Sequence, residues 1–77
     1  MREKILKILE EIDCTVDYEK EKALIDDMIL DSFGVLTLIG ELEDEFDVRI
    51  TTMELVPENM NSLDSITAMV ERLQNSN

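Results

Sequence analysis

The chain has 77 residues, and this length allows a single small domain, 1–77, without room for a second hydrophobic core. Nineteen acids against seven bases give a formal net charge of −12, which repels nucleic acid and attracts basic protein patches. With no histidine and one cysteine, acid–base and thiol catalysis lack their usual residues, so we expect neither an enzyme nor an internal disulfide.

The opening of the chain, MREKILKILEE, threads charges through its apolar positions, whereas a secretory leader needs an unbroken apolar stretch. No run approaches the roughly 20 apolar residues that a membrane span requires. We therefore expect a cytoplasmic protein that does not insert into membranes. The same residues predict an amphipathic helix over 2–13, whose apolar stripe consists of Ile5, Leu6, Ile8, Leu9 and Ile12.

The segment after this helix shows no sustained apolar period. We expect residues 14–30 to form a long connection that lays apolar side chains across the core. Cys14 has no histidine partner, and we interpret it as a packing residue near the end of the first helix.

The clearest element is a central helix that begins at Asp31 or Ser32, both good N-caps, and ends near Asp47. Seven apolar residues predict a broad buried face over four turns: Phe33, Val35, Leu36, Leu38, Ile39, Leu42 and Phe46. Of these, Phe33 and Leu36 are expected to lie mostly in the core. Gly34 and Gly40 occupy positions that look exposed, at a cost of up to about 1 kcal/mol each against alanine, which suggests that some group approaches closely there.

Two shorter patterns complete the fold. A short, imperfect helix is predicted near 51–61, with Pro57 in its first turn and Leu55, Val56 and Met60 facing inward. Asn61 or Ser62 then caps a final helix with apolar residues at Leu63, Ile66, Met69, Val70 and Leu73, before a disordered tail at about 75–77. The sum is an all-α, small four-helix bundle, with three longer helices, one short helix and a long first loop.

Ser32 has two interpretations on the residues alone. It can be a helix cap, worth about 1 kcal/mol. It can also be an attachment point, because the positive end of a helix favours an anionic group such as a phosphoester. The acidic stretch ELEDEFD lacks the alternating acids and central glycine of a calcium loop, so no metal site is expected.

The stretch LDSFGVLTLIGELEDEF, residues 30–46, resembles the acyl carrier protein family, whose signature is Asp-Ser and an apolar residue opening a helix that ends in Leu-Glu-x-x-Phe. Asp31 and Ser32 match the start of this signature. The spacing from them to Leu42, Glu43 and Phe46, which match its end, contains no gap. The resemblance implies a bundle of the acyl-carrier type in which Ser32 carries a 4′-phosphopantetheine arm from coenzyme A, with Asp31 beside it. The thiol of that arm holds an acyl or aminoacyl group as a thioester.

Details of the stretch point to one branch of this family. Fatty-acid carriers usually have acids where this chain has Gly34 and Thr37. LDSFG instead resembles the stand-alone D-alanyl carrier proteins, and the stretch 50–66 is similar to theirs in length, although LVPENMNSLDS lacks the tryptophan and proline often found there. We therefore favour a carrier of the D-alanyl or peptide-synthetase-like branch.

The resemblance implies three partners: a phosphopantetheinyl transferase, an adenylating ligase that loads the thiol, and an acyltransferase or synthase that unloads it. We expect a monomer whose partner contacts come from the central helix, at Val35, Thr37, Gly40, Glu41, Asp44 and Glu45. Two alternatives stay open: a non-catalytic acidic interaction module in which Ser32 is only a cap, and a carrier of the fatty-acid or polyketide type.

Overall fold

The computed structural model describes residues 1–75, and all regular structure in that part of the chain is helical. In chain order the elements are α1 (Arg2–Ile12), α2 (Ser32–Phe46), a 3₁₀ turn (Thr52–Glu54), α3 (Pro57–Met60) and α4 (Leu63–Asn75). The prediction of an all-α bundle with three longer helices and one short helix is confirmed. No helix within residues 1–75 is long and apolar enough to cross a membrane.

Helix α1 is amphipathic as predicted and packs on both α2 and α4. Its buried residues are Ile5, Ile8 and Leu9, while Leu6 and Ile12 pack at the edge of the core. The guanidinium of Arg2 bonds Glu19 of the first loop and Asp64 of α4. The first helix is therefore tied by charge to the segments on either side of it.

Helix α2 buries a narrower face than its composition suggests. Gly34, Leu38 and Leu42 form its inward stripe, at positions i, i+4 and i+8. Phe33 and Leu36 are exposed by 79% and 68%, so the prediction that they lie mostly in the core is wrong. At about 100° per residue, both are rotated by roughly 140–160° from Leu38, which places them on the outer side of the helix.

The long first connection has no helix between residues 13 and 31, and turns carry it across the core. Tyr18 is buried there and donates its hydroxyl to the carbonyl oxygens of Leu9 at 3.0 Å and Asp13 at 2.8 Å. Burial raises the pKa of Tyr18 to about 12. Cys14 is exposed, which corrects its interpretation as a packing residue: α1 ends at Ile12, and the extended backbone of Asp13 turns the chain out of the helix.

The C-terminal third follows the predicted pattern with two adjustments. Pro57 is the first residue of α3, and Ser62 caps α4 by accepting a hydrogen bond from the N–H of Ser65 at 3.1 Å. Leu63, Ile66, Met69 and Val70 of α4 are buried as predicted and Leu73 is partly buried, but Val56 is exposed by 36%. Of the predicted disordered tail, Asn75 belongs to α4, and residues 76 and 77 lie outside the described residues.

Candidate functional site

Ser32 is the first residue of α2, and Asp31 precedes it as the N-cap in an extended conformation. The carboxylate of Asp31 accepts a hydrogen bond from the N–H of Gly34 at 2.8 Å, which is the capping contact of this helix. The side chain of Ser32 is exposed, and within residues 1–75 its hydroxyl has no hydrogen-bond partner. The capping role that the sequence left open for Ser32 therefore belongs to Asp31.

The backbone at this helix start is also available to a ligand. The first hydrogen bond of the helix runs from the N–H of Val35 to the carbonyl of Asp31 at 2.9 Å. The N–H groups of Ser32 and Phe33 have no acceptor among the described residues, as is usual for the first turn of a helix. These two donors and the helix dipole give the surroundings of the Ser32 hydroxyl a positive polarity.

The loop before Ser32 is closed by its own backbone. The N–H of Leu30 donates to the carbonyl of Leu24 at 2.9 Å, and the N–H of Met28 donates to that of Ile25 at 3.0 Å. Met28 has a φ of 56°, in the left-handed region that few residues other than glycine adopt. This tight loop delivers Asp31 and Ser32 to the surface while Leu24 and Leu30 stay buried.

Two grooves flank the start of α2. One, of about 440 Å³, lies toward α1 and is lined by Glu11, Ile12, Asp13, Ile29, Leu30, Asp31, Phe33, Gly34 and Thr37. The other, of about 490 Å³ and mostly apolar, includes Ser32 itself; we call it the serine groove, and its lining is Ile25, Met28, Leu30, Asp31, Ser32, Val35, Leu36, Leu55 and Met60. A group attached to Ser32 would begin at the edge of this second groove.

Exposed apolar side chains surround Ser32. Met28 is exposed by 76%, and with Phe33 and Leu36 it forms what we call the apolar rim. Sequence reasoning missed Phe33 and Leu36 as candidate contacts because it counted the apolar residues of α2 together, and their angular distance from Leu38 was the signal that could have separated them. Met28 was missed because the apolar residues of the first connection were all expected to lie across the core.

The predicted contact residues lie in different settings. Thr37, Gly40, Glu41 and Asp44 are exposed, whereas Val35 is half-buried in the serine groove. Glu45 is exposed but pairs with Lys4 of α1 at 3.2 Å, which draws its carboxylate toward that helix.

The two glycines of α2 also differ. A Cβ at Gly40 would meet no atom within 4 Å, so this position is open. Gly34 is buried, and a Cβ there would stand 3.5 Å from Leu30 and 3.7 Å from Ile12. The expectation that Gly34 is exposed is therefore wrong, and the groups that approach it closely belong to the same chain.

A bundle with an exposed serine at the first turn of its second helix has the architecture implied by the resemblance, that of a carrier protein of the acyl-carrier type. Comparison with protein-family models found no match. Curated relatives named D-alanyl carrier protein do match. The chain is 37% identical to the D-alanyl carrier protein of Streptococcus uberis over 57 residues, which cover 74% of this chain and 72% of the relative. Those of Lactococcus lactis subsp. lactis and subsp. cremoris are 32% and 33% identical over the whole of both chains. The chain belongs to the D-alanyl carrier protein family; it is thus a carrier and not itself an enzyme.

Proposed function

We propose that Ser32 is the attachment point of a 4′-phosphopantetheine arm, and that this protein carries an activated acyl or aminoacyl group between enzymes. The observation that carries the proposal is the division of roles at the start of α2. Asp31 caps the helix, which leaves the hydroxyl of Ser32 exposed and without a partner among the described residues. A serine needed only for the helix would be expected to make the capping bond itself.

The surroundings of Ser32 fit a phosphoester. The N–H groups of Ser32 and Phe33 are available to phosphate oxygens, and the helix dipole stabilises negative charge at this end. The serine groove lies beside the hydroxyl and offers apolar side chains to an organic chain. When attached, the arm would supply a terminal thiol that holds the cargo as a thioester.

Attachment requires one displacement at phosphorus. The hydroxyl oxygen of Ser32 attacks the pyrophosphate phosphorus on the pantetheine side of coenzyme A and forms a phosphoester bond. The bond to the bridging oxygen breaks, and adenosine 3′,5′-bisphosphate leaves with that oxygen. The hydroxyl proton passes to a base of the phosphopantetheinyl transferase, since this chain has no histidine to accept it.

Loading and unloading require two further partners, an adenylating ligase and an acyltransferase or synthase. We assign their contact surface to the apolar rim, with Thr37 and Gly40 beside it. Exposed acids further along α2, Glu41 and Asp44, would steer basic partner surfaces toward the rim. Val35 contributes a wall of the serine groove, and Glu45 contributes less because Lys4 already pairs with it.

D-alanine is the favoured cargo, because the relatives that cover the whole chain are named D-alanyl carrier proteins. The packing of Gly34 also separates this chain from the fatty-acid type, which usually has an acid at that position. An acidic side chain there would meet Leu30 and Ile12. Unpaired burial of a carboxylate is costly, so the fatty-acid and polyketide alternatives are disfavoured.

Co-expression with a broad-specificity phosphopantetheinyl transferase tests the attachment. Intact mass should show one added phosphopantetheine group on the wild type and none on Ser32→Ala. Ser62→Ala is the matched control, because Ser62 also stands at a helix start but is buried as the cap of α4. A wild type that stays unmodified while a control carrier is modified would contradict the proposal and favour the interaction-module alternative.

Cargo is tested separately. The modified protein is incubated with an adenylating ligase, ATP and either D-alanine, other amino acids or fatty acids, and the loaded mass is measured. We expect a ligase specific for D-alanine to load this carrier faster than ligases specific for other amino acids or for fatty acids. Loading by fatty acids alone would contradict the D-alanyl assignment but leave the attachment at Ser32 intact.

A further inference from the structure

Asn61, at the junction of α3 and α4, is bonded to the loop that leads to Ser32. Its side-chain oxygen accepts hydrogen bonds from the N–H groups of Ile25 at 2.9 Å and Asp26 at 3.1 Å. Its side-chain nitrogen donates to the carboxylate of Asp26 at 3.1 Å, and its backbone carbonyl accepts from the N–H of Leu24 at 2.9 Å. Four hydrogen bonds thus join segments that are 35 or more residues apart in sequence.

Few side chains can make these contacts. The amide of asparagine accepts and donates at once, whereas a carboxylate only accepts and an alanine does neither. Backbone N–H groups only donate, so the amide oxygen must face Ile25 and Asp26, which leaves the amide nitrogen for the carboxylate. Glutamine has both groups but carries them one methylene farther from the backbone. Asn61 therefore suits the junction in chemistry and in reach.

Asn61 joins two segments of the chain that each contribute a residue to the lining of the serine groove. Ile25 lines one wall, and Met60, the neighbour of Asn61 in sequence, lines the other. Helix α3 packs chiefly on α4, and its contacts with α2 are sparse. Met60 itself is buried in the core, so apolar packing holds the end of α3, and the hydrogen bonds of Asn61 add a direct polar connection between that end and the loop that precedes Ser32.

The connection extends to the attachment point through the closed loop. The bonds from Met28 to Ile25 and from Leu30 to Leu24 make this loop a compact unit. Leu30 is buried and directly precedes the capping residue Asp31. Displacement of Ile25 from Asn61 would therefore shift the apolar rim at Met28 and the start of α2.

We infer that Asn61 is a positioning residue that fixes the spacing of the two walls of the serine groove, and thereby presents Ser32 and the apolar rim to partner enzymes in one geometry. The inference rests on the proposed function where it concerns partner enzymes. The connection itself is a property of the fold, and it can be measured without any enzyme.

The first experiment compares Asn61→Ala with Asn59→Ala. Asn59 is the matched control, because its side chain also makes hydrogen bonds, but both of them go to Glu54 and stay within the segment 54–59, away from the first loop. We expect Asn61→Ala to lower kcat/KM for modification by the transferase about tenfold, mainly through KM. Asn59→Ala should leave kcat/KM near the wild-type value even where it lowers the melting temperature. Amide hydrogen exchange at Ile25 and Asp26 should accelerate only in Asn61→Ala.

The second experiment exchanges the partners. Asn61→Asp alone sets a carboxylate against that of Asp26 and should lower kcat/KM, because like charges at this distance repel. Adding Asp26→Asn returns a donor to the pair and should restore most of the loss. If Asn61 contributed only to stability, KM would not recover in the double variant while its melting temperature stays equal to that of Asn61→Asp.

Three results would overturn the inference: unchanged exchange at Ile25 and Asp26 in Asn61→Ala, equal losses of kcat/KM in the two alanine variants, or no recovery in the exchanged pair. An unmodified wild type would instead contradict the proposed function. In that case hydrogen exchange still decides whether Asn61 connects the walls, so the two failures are distinguishable.

Discussion

The two halves of α2 share one inward stripe but present different chemistry to solvent. The N-terminal half, residues 32–37, exposes Phe33 and Leu36 beside Ser32. The C-terminal half, residues 40–46, exposes acids and includes the open position Gly40. Apolar surface provides short-range contact energy, whereas charge acts over about 10 Å at ordinary ionic strength. The comparison suggests a division of labour, with contact near the attachment point and attraction farther along the helix.

Acids in the rest of the molecule are placed differently from those of α2. Arginines bond Glu19, Asp64 and Glu54, and each of these carboxyl groups has a lowered pKa, with the hydrogen bond to arginine as the largest cause. No arginine or lysine occurs between Ala23 and Val48. The charge of α2 is therefore largely uncompensated within its own stretch, which costs stability and leaves the charge available to a partner.

The largest effect after loss of Ser32 itself is expected in the apolar rim. Phe33→Ala with Leu36→Ala should lower kcat/KM for modification by the transferase about tenfold or more. The unfolding free energy should change by less than about 0.5 kcal/mol, because both side chains are exposed. Met53→Ala, which removes an apolar side chain that is 84% exposed outside α2, is the control. An equal loss in the control would mean that no local rim exists.

A smaller effect is expected from the acidic half. Glu41→Gln with Asp44→Asn should lower kcat/KM about threefold at low salt, and the difference from wild type should shrink as salt is added. Glu3→Gln with Glu10→Gln makes the same charge change on exposed positions of α1 and is the control. If both pairs behave alike, net charge rather than the acidic half of α2 governs association.

The paired acids predict the response to low pH. A carboxyl group whose pKa is lower in the folded state stabilises the fold above its unfolded pKa, and this contribution is lost as the pH falls through the folded value. For Glu54, whose ordinary pKa is 4.5, the loss should occur below that value. As the pH is lowered through this range, the melting temperature should fall less for Glu54→Gln than for the wild type. Equal falls in the two proteins would contradict the pairing with Arg72.

The smallest effect is the response of the wild type to salt. Added sodium or magnesium chloride at neutral pH should raise the melting temperature by about 4 °C, because screening reduces repulsion among the acids of residues 26–47. The variant Glu41→Gln with Asp44→Asn should have a higher melting temperature at low salt, and added salt should raise it by less than in the wild type. A flat response in the wild type would show that this repulsion does not limit stability.

Periodicity within single segments was enough to predict most of the fold. The stripes of α1 and α4, the start of α2 near Asp31 and Ser32, and the position of Pro57 follow from local spacing and capping chemistry. Predictions about which apolar residues are buried were less accurate. Phe33, Leu36 and Cys14 were assigned to the core and are exposed, because burial depends on which face of an element meets its neighbours.

The sequence by itself determined the class of fold, the family and the choice of Ser32 as the residue to examine, since these depend on local spacing, helix capping and a contiguous motif. Only the tertiary structure decided that Asp31 makes the cap, that Gly34 is packed against α1, and that Asn61 joins the two walls of the serine groove. The packing of Gly34 and the bonds of Asn61 depend on contacts between groups whose distance in space is set by the packing of helices and loops and cannot be read from their order along the chain. The cap is a local contact, but two adjacent residues could have made it, and only the geometry at the start of α2 decides between them.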